Sequence, residues 1–273
     1  MSVETPSQAI DLDWAMPAPL EASVLGCRIV YYEKGEGPPL VLVHGFSGSA
    51  PFEWGRVFDL LAEHHRVVAP QLIGFLPSEQ PDMVYSTEAQ LAHLSGFLEA
   101  LNLEGCTLAG ESYGGWLVGA YAAKAAETGS SLARVDRYAL LCGAVLVNRS
   151  GDAPPAPQSP PDTPLWRAIL ERLPMLNPHD AANNWARERI FAASDLGRGK
   201  PDAAALAKIP APVLVLWGED DTLVPVRYGR EAAAAIPGSQ LVVLPGVGHI
   251  PSIEAPRDFV RILTDFAAGR AAS

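Results

Sequence analysis

Seven short apolar runs, each halted by glycine or proline and separated by stretches of helical periodicity, constrain this chain more than any other feature. "RIVYYEKG" and "PPLVLVHG" read as strands on either side of a Gly/Pro turn. "HRVVAP", "CTLAG", "DRYALLCGAVLV", "APVLVLWG" and "SQLVVLPG" are continuous β-branched or leucine runs, the pattern of strands covered on both faces. Between them "EWGRVFDLLAEH", "STEAQLAHLSGFLEALNL", "YGGWLVGAYAAKAAE", "YGREAAAAIP" and "APRDFVRILTDFAAG" carry the helical pattern. Strand, helix and strand in this repetition predict an α/β fold: a mostly parallel sheet with helices on both faces. A chain of 273 residues fits one such unit.

The alternation breaks once, between Asn148 and about Lys200. "GDAPPAPQSPPDTP" is too rich in proline for helix or strand, and "LWRAILERL" and "DAANNWARERIFAAS" read as short helices. A segment that leaves one strand and returns to the next strand of the same sheet sits at the strands' carboxyl ends, where open α/β sheets keep their ligand crevice. Residues 148–200 are therefore expected to be a lid inserted between core segments 1–147 and 201–273.

With 31 acidic against 20 basic residues and no Lys/Arg-rich block, the chain would repel polyanions. Nucleic acid and anionic membrane are therefore not expected as partners. Met1 to Leu20 lacks the basic start and apolar run of an export signal, and no apolar segment is long enough to span a bilayer. Cys27, Cys106 and Cys142 are odd in number and widely spaced, as expected of free thiols rather than disulfides or a metal site. The expectation is a cytoplasmic protein, monomer or homodimer.

"GESYGG", Gly110 to Gly115, follows a strand and opens a helical pattern, the context in which G-x-S-x-G describes a sharp nucleophile turn. Turning directly from strand into helix strains the backbone at Ser112, and Gly110 and Gly114 relieve the crowding across the bend. The Tyr113 amide then heads a helix, where the first N–H groups have no acceptor in the helix's own ladder and favour an anion. A second donor comes from the Phe46 amide in "HGFSG", after an earlier strand. Donors so placed form an oxyanion hole.

A serine hydroxyl needs a base, and the base an acid behind it. Among six histidines, His64 and His65 lie at the amino end of a strand, His93 falls in a helical pattern, His44 in the glycine turn and His179 in the lid. His249, in "LPGVGHIPSIEAP", follows the last strand and is the best base by position. Glu219, Asp220 and Asp221 follow the preceding strand, and one of them is expected to hold the imidazole.

"LVHGF", "LAGESYGG", "LWGEDDTLVP" and "GVGHIPSIEAP" together resemble the motifs of the α/β-hydrolase fold superfamily, in order, from about Arg28 to the end apart from the lid. The resemblance implies an eight-stranded, mostly parallel sheet and a hydrolase that uses neither cofactor nor metal. Ser112 is then the nucleophile, His249 the base, and the amides of Phe46 and Tyr113 the oxyanion donors. The family's G-x-x-D-x-x-x-P pattern, counted from Gly218 to Pro225, selects Asp221 over Asp220. Two departures stand out: "APQLIGFLPS" has Gln71 and Leu76 where relatives carry aspartate and a second glycine, and Glu111 precedes the nucleophile.

Within the superfamily the chain is similar to serine esterases and to the C–C hydrolases that cleave ring-opened aromatic metabolites. The first likeness implies a small-molecule acyl substrate. The second implies a lid arginine for the substrate's carboxylate, Arg187 or Arg189, and a tryptophan after the catalytic histidine, where this chain has Ile250. Trp166, Leu170, Trp185 and Phe191 are further candidates for lining the substrate pocket.

Overall fold

A computed structural model describes residues 16–128, 132–143, 162–193, 203–209 and 212–272. The proline-rich stretch, both expected lid boundaries and most of the amino-terminal segment read for an export signal lie outside the described residues. An eight-stranded sheet forms the centre, in the order β1-β2-β4-β3-β5-β6-β7-β8. The strands are β1 Leu20–Val24, β2 Cys27–Lys34, β3 Pro39–Val43, β4 Arg66–Pro70, β5 Cys106–Glu111, β6 Val135–Leu141, β7 Val213–Gly218 and β8 Gln240–Leu244. From β4 to β8 all neighbours are parallel, and β2 alone runs against the rest.

The consecutive apolar residues of each central run are explained by burial on both faces. In β3, Val41 and Val43 enter one core while Leu40 and Leu42 enter the other, and in β7 Val215 and Trp217 oppose Leu214 and Leu216. One core lies under α3 Thr87–Ala100 and α4 Tyr113–Thr128, with Phe97, Trp116 and Tyr121. The other lies under α1 Ala50–Trp54, α2 Phe58–Ala62 and α10 Pro256–Ala267, with Trp54, Phe58 and Phe266.

Three departures from the sequence reading have local causes. The single helix expected over "EWGRVFDLLAEH" is two, α1 and α2, interrupted at Gly55. The edge strand β1 pairs with β2 through Leu25 and Gly26, both at positive φ. That conformation closes a two-residue hairpin, and leucine is a poor signal for it. In the run "DRYALLCGAVLV" the strand ends at Leu141, where Cys142 turns to a positive φ, and residues 144–147 lie outside the described residues.

Between β6 and β7 the described chain forms α5 Pro164–Leu176 and α6 Asn184–Ala192. Thr163 caps α5 by accepting from Trp166 N at 3.2 Å, with proline in the first turn, and Trp166, Ile169 and Leu176 pack with Phe52 and Ile253. The remaining helices are α7 Ala203–Leu206, α8 Arg227–Ala235 and α9 Pro251–Glu254. Among the described residues no helix is long and apolar enough to cross a membrane, and Cys27, Cys106 and Cys142 are free thiols.

Candidate active site

Four loops at the carboxyl ends of β3, β5, β7 and β8 converge. Ser112 sits between β5 and α4 with φ +56°. A Cβ on Gly110 would lie 2.3 Å from the Gly114 carbonyl oxygen, which explains that glycine by the bend itself. At Gly114 the obstacle is different: a Cβ there would lie 2.0 Å from the Val43 carbonyl oxygen of the neighbouring strand. The reading of Gly114 as relief across the bend is corrected accordingly.

His249 Nε2 lies 2.9 Å from Ser112 Oγ, and its Nδ1 2.8 Å from Asp221 Oδ2. Asp221 is buried, and its Oδ1 accepts the amides of Leu223 and Val224 at 3.0 and 2.7 Å. Its exposed neighbour Asp220 stands apart from the imidazole, at the cavity wall. With Nδ1–H donated to Asp221, Nε2 is left to accept the serine proton. Glu254 brackets His249 by accepting the amides of Gly248 and Ile250 at 2.9 and 3.1 Å. Cys142, Asp221 and His249 are the described grouping with metal-ligand atoms near one another, but Asp221 and His249 already bond each other.

The turn after β3 passes beside the serine: a Cβ on Gly45 would lie 2.8 Å from Ser112 Cβ. Leu72 N donates to His44 Nε2 at 3.1 Å, so His44 Nδ1 carries the hydrogen and donates to the Gly45 carbonyl at 2.8 Å. Burial lowers the His44 pKa to about 4 and keeps this ring neutral. Gly48 N donates to the same carbonyl at 3.1 Å. In a planar trans peptide the Phe46 N–H therefore points the opposite way. The Phe46 ring stacks on Tyr113 with centroids 4.2 Å apart.

A cavity of about 340 Å³ opens above Ser112 and His249. Of the residues singled out from sequence, Trp166, Leu170 and Ile250 line it, as does Phe46. Trp185, Arg187 and Arg189 are not among its lining. Trp185 packs edge-on against Tyr85 with Arg189 over its ring at 3.8 Å, and Arg187 bonds the turn after β3. Phe191 is 60% exposed with its ring 5.2 Å from that of Phe46. Gln71 bridges the loop whose shape its substitution put in question, accepting from Ala50 N and donating to the carbonyls of Gly48 and Leu76.

Two buried carboxyls stand behind the serine. Glu53 Oε1 accepts Gly45 N at 2.7 Å while Oε2 bonds Ser47 Oγ. Glu111 Oε2 lies 2.6 Å from Ser252 Oγ, and that hydroxyl also reaches the Glu53 carbonyl at 3.0 Å. One hydroxyl hydrogen cannot serve both acceptors. A protonated Glu111 donating to Ser252 Oγ satisfies all three groups. Burial pushes Glu53 up to about 8, and burial reinforced by the charge of Glu53 pushes Glu111 up as well.

A carboxyl whose pKa is raised by folding binds more protons in the folded chain, so stability falls as pH rises from the ordinary carboxyl range toward the folded value. Glu111→Gln, which keeps the shape and can donate to Ser252, is expected to be more stable than the parent near pH 8, with a Tm higher by a few degrees. The gap should close toward pH 4. Thermal denaturation between pH 4 and 9 checks this, and parallel curves would show that the carboxyl carries no such cost.

Comparison with known proteins agrees with this architecture. The model of the alpha/beta hydrolase family matches residues 40–262. The chain is 31% identical to a 2-hydroxy-6-oxo-2,4-heptadienoate hydrolase of Pseudomonas putida, covering 89% of this chain and 94% of that one. It is 30% identical to lipase 3 of a Moraxella species, covering 85% and 79% respectively. A solved meta-cleavage product hydrolase from Pseudomonas fluorescens superposes with a TM-score of 0.73 at 22% identity, over 93% of this chain and 98% of that one. A mostly parallel sheet covered on both faces, with loops gathered at its carboxyl edge, makes this an α/β protein, and the family match and these relatives make it a hydrolase. It belongs to the alpha/beta hydrolase family.

Proposed function

We propose that this protein hydrolyses a small, largely uncharged carboxylic ester or related acyl compound by two-step acyl transfer. The observation that carries this reading is the chain of contacts Ser112 Oγ to His249 Nε2 at 2.9 Å and His249 Nδ1 to Asp221 Oδ2 at 2.8 Å, beneath a cavity. Ser112 Oγ attacks the carbonyl carbon as its proton passes to His249 Nε2, and Asp221 steadies the imidazolium. The amides of Phe46 and Tyr113 receive the oxyanion. His249 returns the proton to the leaving alcohol, and water, deprotonated by His249 in turn, releases the acid from Ser112. Trp166, Leu170 and Ile250 contact the apolar part of the substrate, with α5 as the roof of a lid.

Similarity to the heptadienoate hydrolase favours a second reading, C–C bond hydrolysis of an acidic ring-fission product. The lining speaks for an uncharged substrate instead. Of the acids along its wall, Glu53 and Glu111 are buried with raised pKa values and Asp180 is paired with Arg187, which leaves Asp220 and Glu254 to meet an incoming charge, and no lysine or arginine lines the cavity among the described residues.

A fluorophosphonate should label the protein once, on the peptide that carries Ser112. p-Nitrophenyl butyrate should then be cleaved with a kcat/KM on the order of tenfold or more above that of mono-p-nitrophenyl succinate, whose added carboxylate meets these acids. The reverse preference, or faster turnover of a ring-fission product, would favour the C–C reading.

A further inference from the structure

Arg187 lies in α6, outside the cavity lining, yet its guanidinium is fully engaged. Nε donates to the Phe46 carbonyl at 2.7 Å, and Nη2 to the Ser47 carbonyl at 2.9 Å and to Asp180 Oδ1 at 2.7 Å. Nη1 donates to the Asp180 carbonyl at 2.9 Å and to Asn184 Oδ1 at 2.7 Å. A guanidinium has five N–H donors, and these contacts use five. None remains for a substrate carboxylate, the role first expected of it.

What Arg187 holds is the turn that presents the Phe46 amide. Each carbonyl of residues 45–48 has a donor. Gly45 is served by His44 and Gly48, Phe46 by Arg187, Ser47 by Arg187 and Asn177, and Gly48 by Gln71 and Asn183. On the amide side Glu53 holds Gly45 N. Three of these side chains, Asn177, Asn183 and Arg187, come from the segment between β6 and β7, and Asp180 from the same segment fixes the arginine. Peptide orientation within a glycine-rich turn is otherwise weakly determined. Removing Arg187 would leave the Phe46 carbonyl without its donor and the Ser47 carbonyl with one fewer, and such groups reorient to find partners. The positive charge of Arg187 also reaches this turn, where it helps to lower the pKa of His44.

We infer that Arg187 is a positioning residue for the oxyanion site, so that seating of α5 and α6 on the core and correct aim of the Phe46 amide are one event. This rests on the acyl-transfer reading given above.

The test is steady-state kinetics of Arg187→Met and Arg187→Lys on p-nitrophenyl butyrate, with active sites counted by fluorophosphonate titration. Loss of one oxyanion donor costs about 10²–10³ in kcat, so a misaimed one in Arg187→Met should lower kcat per titrated site by about 30- to 100-fold with KM within about threefold. Arg187→Lys, which can reach one carbonyl, should recover part of the loss. Affinity for a boronic acid that forms a tetrahedral adduct should fall in parallel with kcat, while affinity for the product butyrate should not.

If Arg187→Met does not fold, Asp180→Asn, which loosens the arginine without touching the Phe46 carbonyl, should lower kcat in the same direction by a smaller factor. Arg167→Ala, an exposed change on α5, should leave kcat unchanged. A kcat per titrated site close to the parent's would overturn the inference, as would an effect confined to KM for carboxylate-bearing esters. Activity that survives in Ser112→Ala would sink the acyl-transfer reading itself, a result distinct from either.

Discussion

Replacing Ser112 by alanine is expected to lower kcat by about 10⁶-fold, the scale seen when a nucleophile of this type is lost from an otherwise intact site. The residual rate would come from the oxyanion donors and the cavity, which the substitution leaves in place. Folding should be little affected, because the positive φ at residue 112 is imposed by Gly110, Gly114 and the β5–α4 junction rather than by the side chain. Stopped assays with p-nitrophenyl butyrate and mass analysis after fluorophosphonate treatment measure both parts. The serine has no part in the chemistry if labelling persists in the variant.

Asp221→Asn should cost about 10⁴-fold in kcat with the geometry preserved. The reason lies in how Asp221 is held. Its Oδ1 accepts two backbone amides, from Leu223 and Val224. In the variant the amide oxygen must keep that position, because an NH₂ there would oppose two N–H donors. The NH₂ then faces His249 Nδ1, which is forced to accept. The ring hydrogen moves to Nε2, opposite Ser112 Oγ, and the serine proton has nowhere to go. Asp220→Asn makes no such change and should retain activity within a few fold. If the two variants exchange behaviour, the acid has been misassigned.

Much of this site could be read from sequence because each part sits next to an element with a strong pattern. "LAGESYGG" joins a saturated apolar run to a helix, and its glycines are required by backbone contacts of 2.3 Å at Gly110 and 2.0 Å at Gly114. Asp221 and His249 follow comparable runs. The supporting polar groups left weaker traces. Glu53 falls inside a helical pattern in which Ala50, Glu53, Trp54, Val57, Phe58 and Leu61 share one stripe of helical spacing, and all are buried. An acid on that stripe was the available signal. For Asn177, Asn183 and Ser252 there is none, since their partners are main-chain groups or a carboxyl far away in sequence, and Glu254 acts on nearby main-chain amides that leave no mark in a residue pattern. The resemblance to the C–C hydrolases points to Arg187 and aromatic character to Trp185, and neither signal says which way a side chain on a short helix faces.

The attachment of α5 and α6 to residues 45–48 has a consequence for how new specificities arise on this scaffold. Recombination that imported the whole β6–β7 connection from a distant relative would bring a foreign pocket wall and, in the same stroke, strip main-chain oxygens of their donors. Substrate range and turnover are thus inherited as a linked trait. Diversification is channelled toward single exchanges at Ile169, Leu170 and Leu173, which face the cavity, whereas the bonds to the turn are made by Asn177, Asn183 and Arg187.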